Sequence, residues 1–371
     1  MSSSIDEQIT KLEDEIRETQ KNKATEKHIG VLKAKIARLR RKKLEIQASK
    51  SGSSYGFDIK KAGDGSAVLI GFPSTGKSTV LTKITSKKSK IGDYAFTTTK
   101  AIPGILEHRG TQIQLIDLPG IIEDASKGKG RGREILAVAR STDLIIILLD
   151  PENPLDFYDK IIDELSKVAI RPGQEEPDII IKKKDRGGIA LSTLSKLSHM
   201  SEKTFMEILR EYRVMNATVT VRGDPTIDEL IDILEGNRVY PKLLVVVNKI
   251  DLISAKKMRK LKHVLPNAIY ISALKEENLE LLKDRIVDEL ELIQVYLKKQ
   301  RGKTDYDEPL IVKRDSTILD ICNKIHRKFK EQFRYAVVSG PSSKHPNQRV
   351  GLDHRVQEGD IITIIIQQFQ F

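Results

Sequence analysis

The chain of 371 residues contains one cysteine, Cys322, and no apolar stretch long enough to cross a membrane. A single cysteine excludes an internal disulfide and a cysteine-rich zinc site. The longest apolar runs, Leu144–Leu149 and Ile361–Ile366, fall well short of the roughly 18 residues of a transmembrane helix. The first four residues and the acids after them lack the basic start and apolar core of a secretory signal. We therefore expect a cytoplasmic protein with no transmembrane segment.

Positive charge is in excess and unevenly spread. There are 64 Lys and Arg residues against 52 Asp and Glu residues, a formal net charge of +12. Residues 21–50 hold eleven bases against two acids, whereas residues 1–20 hold two bases against six acids. A basic block of this kind attracts polyanions such as RNA or the ribosome. The alternative is a solvated helix face without a partner.

The first 48 residues are predicted to form a basic helical hairpin. Ser4 to Glu7 fit a capping box, and apolar residues then recur every three or four positions up to Ile16. Asn22-Lys23 is the expected turn, and a second stripe runs from Ile29 to Leu39. The segment 49–56 is rich in serine and glycine and is predicted to be a linker.

From Ala67 onward, short apolar strands alternate with segments long enough for helices. The strands are AVLIG, QIQLID, LIIILLD, LLVVVN and AIYIS. Continuous apolar strands predict an α/β fold with a mostly parallel sheet. The distance from Asp150 to Leu243 is too long for one crossover, so a small subdomain is expected at 170–240. The enclosing domain is then 57–169 and 241–290, and the insert carries a basic turn at Lys182–Gly188.

A smaller module is predicted at the C-terminal end of the chain. We expect the helix near Asp288 to run on past that residue, after which strands resume at PLIVK. A helix at 318–329 and the strands YAVVS, RVGL and DIITIII complete a compact α+β module, assigned to residues 295–371.

The segment from Gly71 to Ser78 fits the phosphate-loop pattern and lies between a predicted strand and a helix. Its backbone N–H groups can surround phosphates, Lys77 can span the β- and γ-phosphates, and the Ser78 hydroxyl can bind Mg²⁺. The alternative is a glycine-rich turn. The predicted nucleotide-binding residues here are Gly71, Pro73, Ser74, Thr75, Gly76, Lys77, Ser78 and Thr79.

Three further motifs follow at strand ends, the first directed at Mg²⁺ and the γ-phosphate and the other two at the base. Asp117 can hold Mg²⁺ through water, and the Gly120 amide can meet the γ-phosphate. Asp251 can accept hydrogen bonds from guanine N1–H and N2–H₂, which adenine lacks. Asn248 and Lys249 would brace the loop and the base plane, and Ser272-Ala273-Leu274 would bring an amide to guanine O6. These motifs predict GTP and GDP as ligands.

Two segments are predicted to respond to the γ-phosphate. Thr97, Thr98 and Thr99 form a first switch, in which we choose Thr98 as the Mg²⁺ ligand and Thr97 as a nucleotide contact. Lys127 to Arg133 would form a basic second switch. Ile121 occupies the position that usually supplies a water-orienting glutamine, and isoleucine cannot orient water. Intrinsic hydrolysis should therefore be slow and depend on a monovalent cation, another side chain or a partner. Lys77, Thr98 and Gly120 are the predicted catalytic groups.

The segments GFPSTGKST, YAFTTT, DLPGIIEDASKGKGRGRE and NKID resemble the Obg superfamily of translation-factor GTPases. More narrowly, TQKNKATEKHIGVLKAKIARLRR, KGKGRGREILAVAR, EGNRVY and KKKDRGG resemble the developmentally regulated GTP-binding protein (DRG) family. This resemblance covers nearly the whole chain. The C-terminal segment QFRYAVV…NQRVGLDH is more similar to the second of two eukaryotic DRG branches.

The resemblance implies a GTPase domain with an inserted subdomain of the ribosomal-protein type (S5D2-like) and a C-terminal β-grasp module called TGS. It also implies association with ribosomes and rRNA, and a dedicated DRG family regulatory protein that stimulates the enzyme, the chain being a monomer or a heterodimer with it. K⁺ is implied as a further cofactor beside GTP, GDP and Mg²⁺, although Ser74 stands where an asparagine is expected for K⁺ coordination.

The leading functional hypothesis is a GTP-hydrolysing switch that acts on ribosomes during translation. A metabolic kinase is a different class, and the guanine motif at Asn248–Asp251 argues against it. A microtubule or RNA scaffold protein, in which bound GTP is mainly structural, is the remaining alternative.

Overall fold

A computed structural model of the chain describes residues 2–20, 22–50, 63–85, 102–117, 138–299, 302 and 304–366. The α-helices in this part of the chain are α1 (Ser2–Glu18), α2 (Glu26–Lys50), α3 (Lys77–Ile84), α4 (Pro154–Lys167), α5 (Glu202–Glu211), α6 (Ile227–Glu235), α7 (Ala255–Val264), α8 (Leu279–Glu289), α9 (Ile318–Ile325) and α10 (Arg327–Glu331). The strands are β1 (Gly65–Ile70), β2 (Ile102–His108), β3 (Thr111–Asp117), β4 (Leu144–Leu149), β5 (Ile179–Lys183), β6 (Ile189–Thr193), β7 (Ala217–Val221), β8 (Lys242–Val247), β9 (Ile269–Tyr270), β10 (Leu292–Leu297), β11 (Leu310–Lys313), β12 (Phe333–Ser339), β13 (Gln348–Val350) and β14 (Ile361–Ile366).

The chain divides into two compact units. One, here called the hairpin–insert unit, combines Met1–Asp58 with Ser166–Tyr240. The other, the two-sheet unit, combines Ile59–Leu165 with Pro241–Phe371. The sequence patterns predicted the hairpin and the insert as separate domains. In the structure they form one compact unit. The finer boundaries at 48, 57, 170, 240, 290 and 295 stay predictions.

A six-stranded sheet forms the centre of the two-sheet unit, in the order β2-β3-β1-β4-β8-β9. All of its neighbouring strands run parallel except β2, which pairs antiparallel with β3 at one edge. Every residue of β1 and β4 is buried, as expected for strands covered on both faces. The predicted α/β architecture is confirmed, although the edge strand β2 was not predicted.

The C-terminal sheet has the order β11-β10-β14-β12-β13 and packs against α9. Its first strand begins at Leu292, so the predicted continuation of the helix beyond Asp288 is wrong. Glu291 adopts a left-handed backbone (φ 50°) that turns the chain after α8, and Ile293 and Val295 then enter the core at a period of two. The predicted helix at 318–329 is likewise interrupted, by an extended residue at His326.

Polar contacts join the C-terminal module to the amino ends of the central strands. Lys313 Nζ lies 2.9 Å from an oxygen of Asp143, just before β4, and Lys324 Nζ lies 3.0 Å from Asp64, just before β1. The carboxyl ends of the same strands are left for the site described below.

The predicted apolar stripes are buried or partly buried in the folded hairpin. Ile5 and Ile9 of α1 pack with Ile36 of α2. In the turn, the side-chain oxygen of Asn22 accepts hydrogen bonds from the N–H groups of Ala24 and Thr25, both at 2.9 Å. Helix α1 starts at Ser2, so the predicted capping box at Ser4 is wrong, and α2 continues to Lys50, two residues beyond the predicted hairpin end. The rest of the predicted linker lies outside the described residues.

Two charged residues of α2 contact the two ends of α5 in the insert. Glu26 accepts hydrogen bonds from Ser201 N (2.8 Å) and Thr204 Oγ1 (2.9 Å), where α5 begins. Arg38 donates to the carbonyl oxygen of Glu211 at 2.9 Å, where α5 ends. A carboxylate at the amino end and a guanidinium at the carboxyl end both complement the dipole of α5. These contacts fix the register between the two helices.

The close approach of these helices also depends on small residues of α2. A Cβ atom at Gly30 would lie 3.2 Å from Thr204 and 3.3 Å from Ile208. Ala34 is fully buried and belongs to the same core as Phe205 of the insert. The hairpin therefore completes the core of the insert.

Most of the cations of α2 are neutralised inside the chain. Arg41 donates to the carbonyl oxygen of Glu235 (3.2 Å) at the end of α6 and to Glu45 (2.9 Å). Ion pairs also join α2 to acids of α1, α5 and α6, namely Arg40 to Glu13, Lys43 to Asp6, Arg38 to Glu211, Lys27 to Glu207 and Lys33 to Asp228. Much of the basic block therefore serves the packing of this unit.

The insert is a three-stranded sheet, β5-β7-β6, covered on one side by α5 and α6. Its base is closed by Asp232, which is 4% exposed and receives hydrogen bonds from both Arg171 (2.7 Å) and Arg238 (2.6 Å). At the far end, Asn216 holds the predicted basic turn between β5 and β6 through the Gly188 N–H (2.8 Å). No helix in the described part of the chain is long and apolar enough to span a bilayer.

Candidate nucleotide site

The candidate site lies at the carboxyl edge of the central sheet. β1, β3, β4, β8 and β9 are parallel, so the segments that follow them emerge at this one edge. These segments are the loop from Gly71 to Gly76, Asp117, Asp150, the segment Asn248–Asp251 and the segment Ser272–Leu274. Ligands of open α/β sheets bind at such an edge.

The loop after β1 has a backbone that favours glycine at two positions. Gly76 has φ 92°, and a Cβ atom there would lie 2.4 Å from the side-chain nitrogen of Asn248. A Cβ atom at Gly71 would lie 2.5 Å from the carbonyl oxygen of Leu148. At Gly71 and Gly76 the neighbouring atoms leave no room for a side chain. It leads directly into α3, whose first N–H groups are available to an anion.

Lys77 begins α3 and folds back over the loop. Its Nζ donates to the carbonyl oxygens of Gly71 (2.8 Å) and Phe72 (2.9 Å). Burial lowers the pKa of Lys77, and the nearby carboxylate of Asp117 opposes that shift. The ammonium group is thus placed beside the backbone that would surround a phosphate.

Ser78 and Asp117, the two predicted Mg²⁺ ligands among the described residues, lie together. The Ser78 hydroxyl donates to Asp117 Oδ2 at 2.8 Å. Asp117 is 5% exposed, and its Oδ1 accepts no hydrogen bond from any described residue. A buried carboxylate oxygen with unused acceptor capacity, beside a hydroxyl, fits a hydrated Mg²⁺ ion, which prefers oxygen ligands and keeps several waters.

Asn248 connects the phosphate loop to the segment after β9. Its side-chain nitrogen donates to the carbonyl oxygen of Thr75 (2.9 Å), and its side-chain oxygen accepts from the Ala273 N–H (3.0 Å). Asn248 is buried, and both polar atoms of its side chain have hydrogen-bond partners within the chain, as buried polar groups generally require. One side chain thus holds three strand ends in register.

Asp251 is held by the Ser272 hydroxyl, which donates to its Oδ1 at 2.6 Å. This hydrogen bond is the main reason why the pKa of Asp251 lies below its usual range. No other described side chain donates to this carboxylate, and the group is ionised at neutral pH. It is therefore suited to accept hydrogen bonds from a purine that carries donors on its N1 edge.

Asp150 lies at this edge of the sheet but belongs to none of the predicted motifs. It directly follows β4, and its Oδ2 lies 3.0 Å from Lys249 Nζ. Its other oxygen accepts from the Glu152 N–H at 3.1 Å, which anchors the carboxylate. The available signal was its position, because Asp117 ends a strand at the same edge.

The remaining predicted site residues divide by location. Pro73, Ser74 and Thr79 are exposed at the mouth of the loop, and Leu274 is 76% exposed beside the buried Ala273. The first switch (Thr97 to Thr99), Gly120, Ile121 and the basic second switch (Lys127 to Arg133) lie outside the described residues. Their roles stay predictions, as do the individual nucleotide contacts of the other residues.

Three family models match consecutive parts of the chain. Residues 66–184 match a family described as 50S ribosome-binding GTPase, and residues 186–292 match the C-terminal region of that domain. Residues 293–366 match the TGS domain.

Relatives extend over almost the entire chain. A GTP-binding protein of Methanocaldococcus jannaschii is 49% identical, with 98% of this chain and 93% of the relative covered. The developmentally-regulated GTP-binding protein 1 homolog of Dictyostelium discoideum is 45% identical over 98% of this chain and 99% of its own length. The chain belongs to the developmentally regulated GTP-binding protein family.

As a member of the DRG family, the chain is a GTP-binding GTPase with a C-terminal TGS domain. The developmentally-regulated GTP-binding protein 2 homolog of Dictyostelium discoideum is 44% identical over 97% of this chain and 98% of its own length. Because this value is close to that of the first homolog, the predicted DRG branch stays a prediction. Among solved structures, the YchF GTPase of Schizosaccharomyces pombe aligns with a TM-score of 0.44 and 13% identity, over 83% of this chain and 99% of that chain.

Proposed function

We propose that this DRG-family GTPase is a GTP-dependent switch that associates with ribosomes during translation in the cytoplasm. The observation that carries the proposal is that a chain with a guanine-nucleotide site also has, on its insert, a basic segment that pairs with no acid in the described chain. The family description of residues 66–184 as a 50S ribosome-binding GTPase supports the choice of partner.

In the proposed nucleotide complex, Lys77 contacts the β- and γ-phosphates. Ser78 binds Mg²⁺ directly, and Asp117 binds it through water, with Thr98 as a further ligand from the first switch. The Gly120 amide contacts the γ-phosphate. The contact between the Ser78 hydroxyl and the buried Asp117, whose Oδ1 accepts no hydrogen bond from a described residue, supports the metal site. Mg²⁺ would neutralise charge that develops on the transferred phosphoryl group.

Guanine selection is proposed to rest on Asp251, whose ionised carboxylate accepts from the N1–H and N2–H₂ groups. Lys249, held by Asp150, would cover the base plane, and the Ala273 amide would reach O6. Adenine would leave the Asp251 carboxylate unpaired, so strong discrimination is expected.

The basic surface, called the insert turn, comprises the end of β5 (Lys182 and Lys183) and the turn between β5 and β6. Lys182, Lys183, Lys184 and Arg186 are all exposed, and none of them pairs with an acid elsewhere in the described chain. By contrast, Arg38, Arg40 and Arg41 of the hairpin are engaged by acids or helix ends. The insert turn is therefore the stronger candidate for contact with rRNA phosphates.

The experiment is co-sedimentation of the full chain with ribosomes in GDP, GTP and a non-hydrolysable analogue, across a salt series. Replacing Lys183 and Lys184 with alanine should reduce the slope of log affinity against log salt by about one per lost phosphate contact. The matched control replaces Lys256 and Lys260, which are exposed and unpaired among the described residues, on α7. Equal slopes for the two variants would remove the insert turn from the binding surface.

The switch itself is tested by Ser78→Asn, which removes a proposed Mg²⁺ ligand. If ribosome co-sedimentation no longer responds to the nucleotide, the switch is supported. If binding and cellular function are unchanged, the scaffold alternative, on microtubules or RNA with GTP mainly structural, replaces it.

Hydrolysis is proposed to be slow in the isolated chain and to be stimulated by K⁺ or by a DRG family regulatory protein. The support is Ile121, which cannot orient water. Turnover is compared in KCl and NaCl of equal ionic strength, with and without the regulatory protein. Fast turnover in NaCl without the partner would contradict this part of the proposal.

A further inference from the structure

An open groove lies in the hairpin–insert unit, and none of its lining residues is a predicted nucleotide-site residue. It has a volume of about 890 Å³ and runs between α1, α2 and the carboxyl ends of α5 and α6. Leu12 and Leu39, both partly buried, give it an apolar floor, and Tyr212 lies at the insert side. This volume lies within the range that is typical of ligand-binding pockets, about 300–1,000 Å³.

The charged residues that line the groove fall into two groups. The acids are already engaged: Glu211 pairs with Arg38, Glu235 accepts from the Tyr212 hydroxyl (2.6 Å), and Glu45 pairs with Arg41. These contacts fix the two arginines as part of the wall.

The second group consists of Lys11, Lys35 and Lys42. All three are exposed, line the groove, and make no ion pair or hydrogen bond with any described residue. The groove therefore combines an apolar floor with a rim of free ammonium groups and no free carboxylate.

We propose that this groove binds an acidic amphipathic helix of a partner protein. The apolar face of such a helix would cover Leu12 and Leu39, and its carboxylates would meet the three lysines. A nucleic-acid backbone would satisfy the lysines but offers the floor no apolar face, because the phosphates and sugars are polar and hydrated. The inference is independent of ribosome binding through the insert turn.

The probe is a fluorescent peptide of about 18 residues with leucines on one helical face and glutamates elsewhere. A second peptide has the same composition with the leucines spread around the helix. Anisotropy is measured with the full chain, and a single-stranded RNA of similar charge forms the third arm. We expect binding of the first peptide only, or at least roughly 10-fold weaker binding of the second, because only the first can cover the floor.

The decisive variant is the double charge reversal Lys35→Glu with Lys42→Glu. It should weaken binding of the amphipathic peptide by roughly 10-fold or more, since attraction at the rim becomes repulsion. The control is Lys23→Glu, an exposed and unpaired lysine in the hairpin turn, outside the groove. Thermal unfolding of both variants should match that of the parent, which shows that lost binding does not reflect lost folding.

Three results would overturn the proposal. The first is absence of peptide binding up to about 1 mM, which corresponds to a binding free energy of only about −4 kcal/mol. The second is equal binding of the two peptides, because the floor would then contribute nothing. The third is RNA binding that is lost in the double reversal while the peptide does not bind, which would assign the lysines to nucleic acid.

Discussion

The contact between Asp150 and Lys249 yields a quantitative prediction about nucleotide retention. Lys249 Nζ lies 3.0 Å from Asp150 Oδ2, with the two side chains 32% and 22% exposed. The ion pair holds the Lys249 ammonium group beside the end of β4. Asp150→Asn keeps the shape and removes the charge. Hydrogen bonds to charged groups contribute about 1.5–3 kcal/mol, and partial exposure reduces this to about 1 kcal/mol.

A loss of about 1 kcal/mol corresponds to roughly 5-fold weaker binding. Because Lys249 would touch the base and not the phosphates, dissociation of GTP and GDP should accelerate equally. The preference for guanine over adenine should be unchanged, since Asp251 and Ser272 are not altered. The assay is stopped-flow release of a fluorescent nucleotide, together with turnover at saturating GTP, which should not fall.

The control for this prediction is Asp156→Asn, the same chemical change at an exposed acid of α4 with no partner among the described residues. Unchanged release from Asp150→Asn would refute the reasoning. So would a change in GTP release alone, because that pattern would locate the effect at the γ-phosphate.

Three further predictions concern stability, the phosphate loop and pH. Arg41→Ala removes a charged hydrogen bond and leaves a buried carboxylate without its cation, so unfolding free energy should fall by about 1–3 kcal/mol in denaturant melts, whereas Lys42→Ala should change it by less than about 0.5 kcal/mol. Gly76→Ala brings a Cβ atom to 2.4 Å from an amide nitrogen at φ 92°, so calorimetry should detect little or no nucleotide binding. Ser272→Ala removes the donor that lowers the pKa of Asp251, so the carboxylate should gain its proton at a higher pH. Guanine affinity should therefore begin to fall at a higher pH in the variant than in the parent.

Each of these predictions has a contrary outcome. Equal melts for the two α2 variants would mean that Arg41 contributes no more than a surface lysine. Nucleotide binding by the Gly76 variant would show that the loop can relax. For Ser272→Ala, parent and variant are compared at each pH so that titration of the nucleotide phosphates cancels, and superimposable acid limbs would contradict the assigned cause.

The nucleotide edge was predictable because its signals are local. Each motif lies at the end of an apolar strand. The carboxyl ends of parallel strands lie at the same edge of a sheet, so the motifs are brought together without any further information from the rest of the chain. The role of Asp150 was not predictable in this way, because the contact with Lys249 joins residues about a hundred positions apart. The same limit explains why strand β10 was not predicted. Its partners β11 and β14 come later in the chain, so no local pattern shows the pairing.

The basic hairpin shows a second limit of sequence reasoning. Charge counting treated residues 21–50 as one surface, and it could not show that Arg38 and Arg41 cap the ends of α5 and α6. The neutralising groups come from positions near 211 and 235, far beyond any local window. What remained visible from the sequence was the helical period, which correctly predicted the hairpin core.

The way in which α2 completes the insert core has a consequence for biosynthesis. The ribosome releases the hairpin first, but the acids and helix ends that match it follow about 190 residues later. At about 5–20 residues per second, α2 waits roughly 10–40 s with Ala34 and its neighbours uncovered. During that interval the nascent chain presents Lys27, Lys33 and Arg38 at the ribosome surface without the acids of the insert that pair with them in the folded chain.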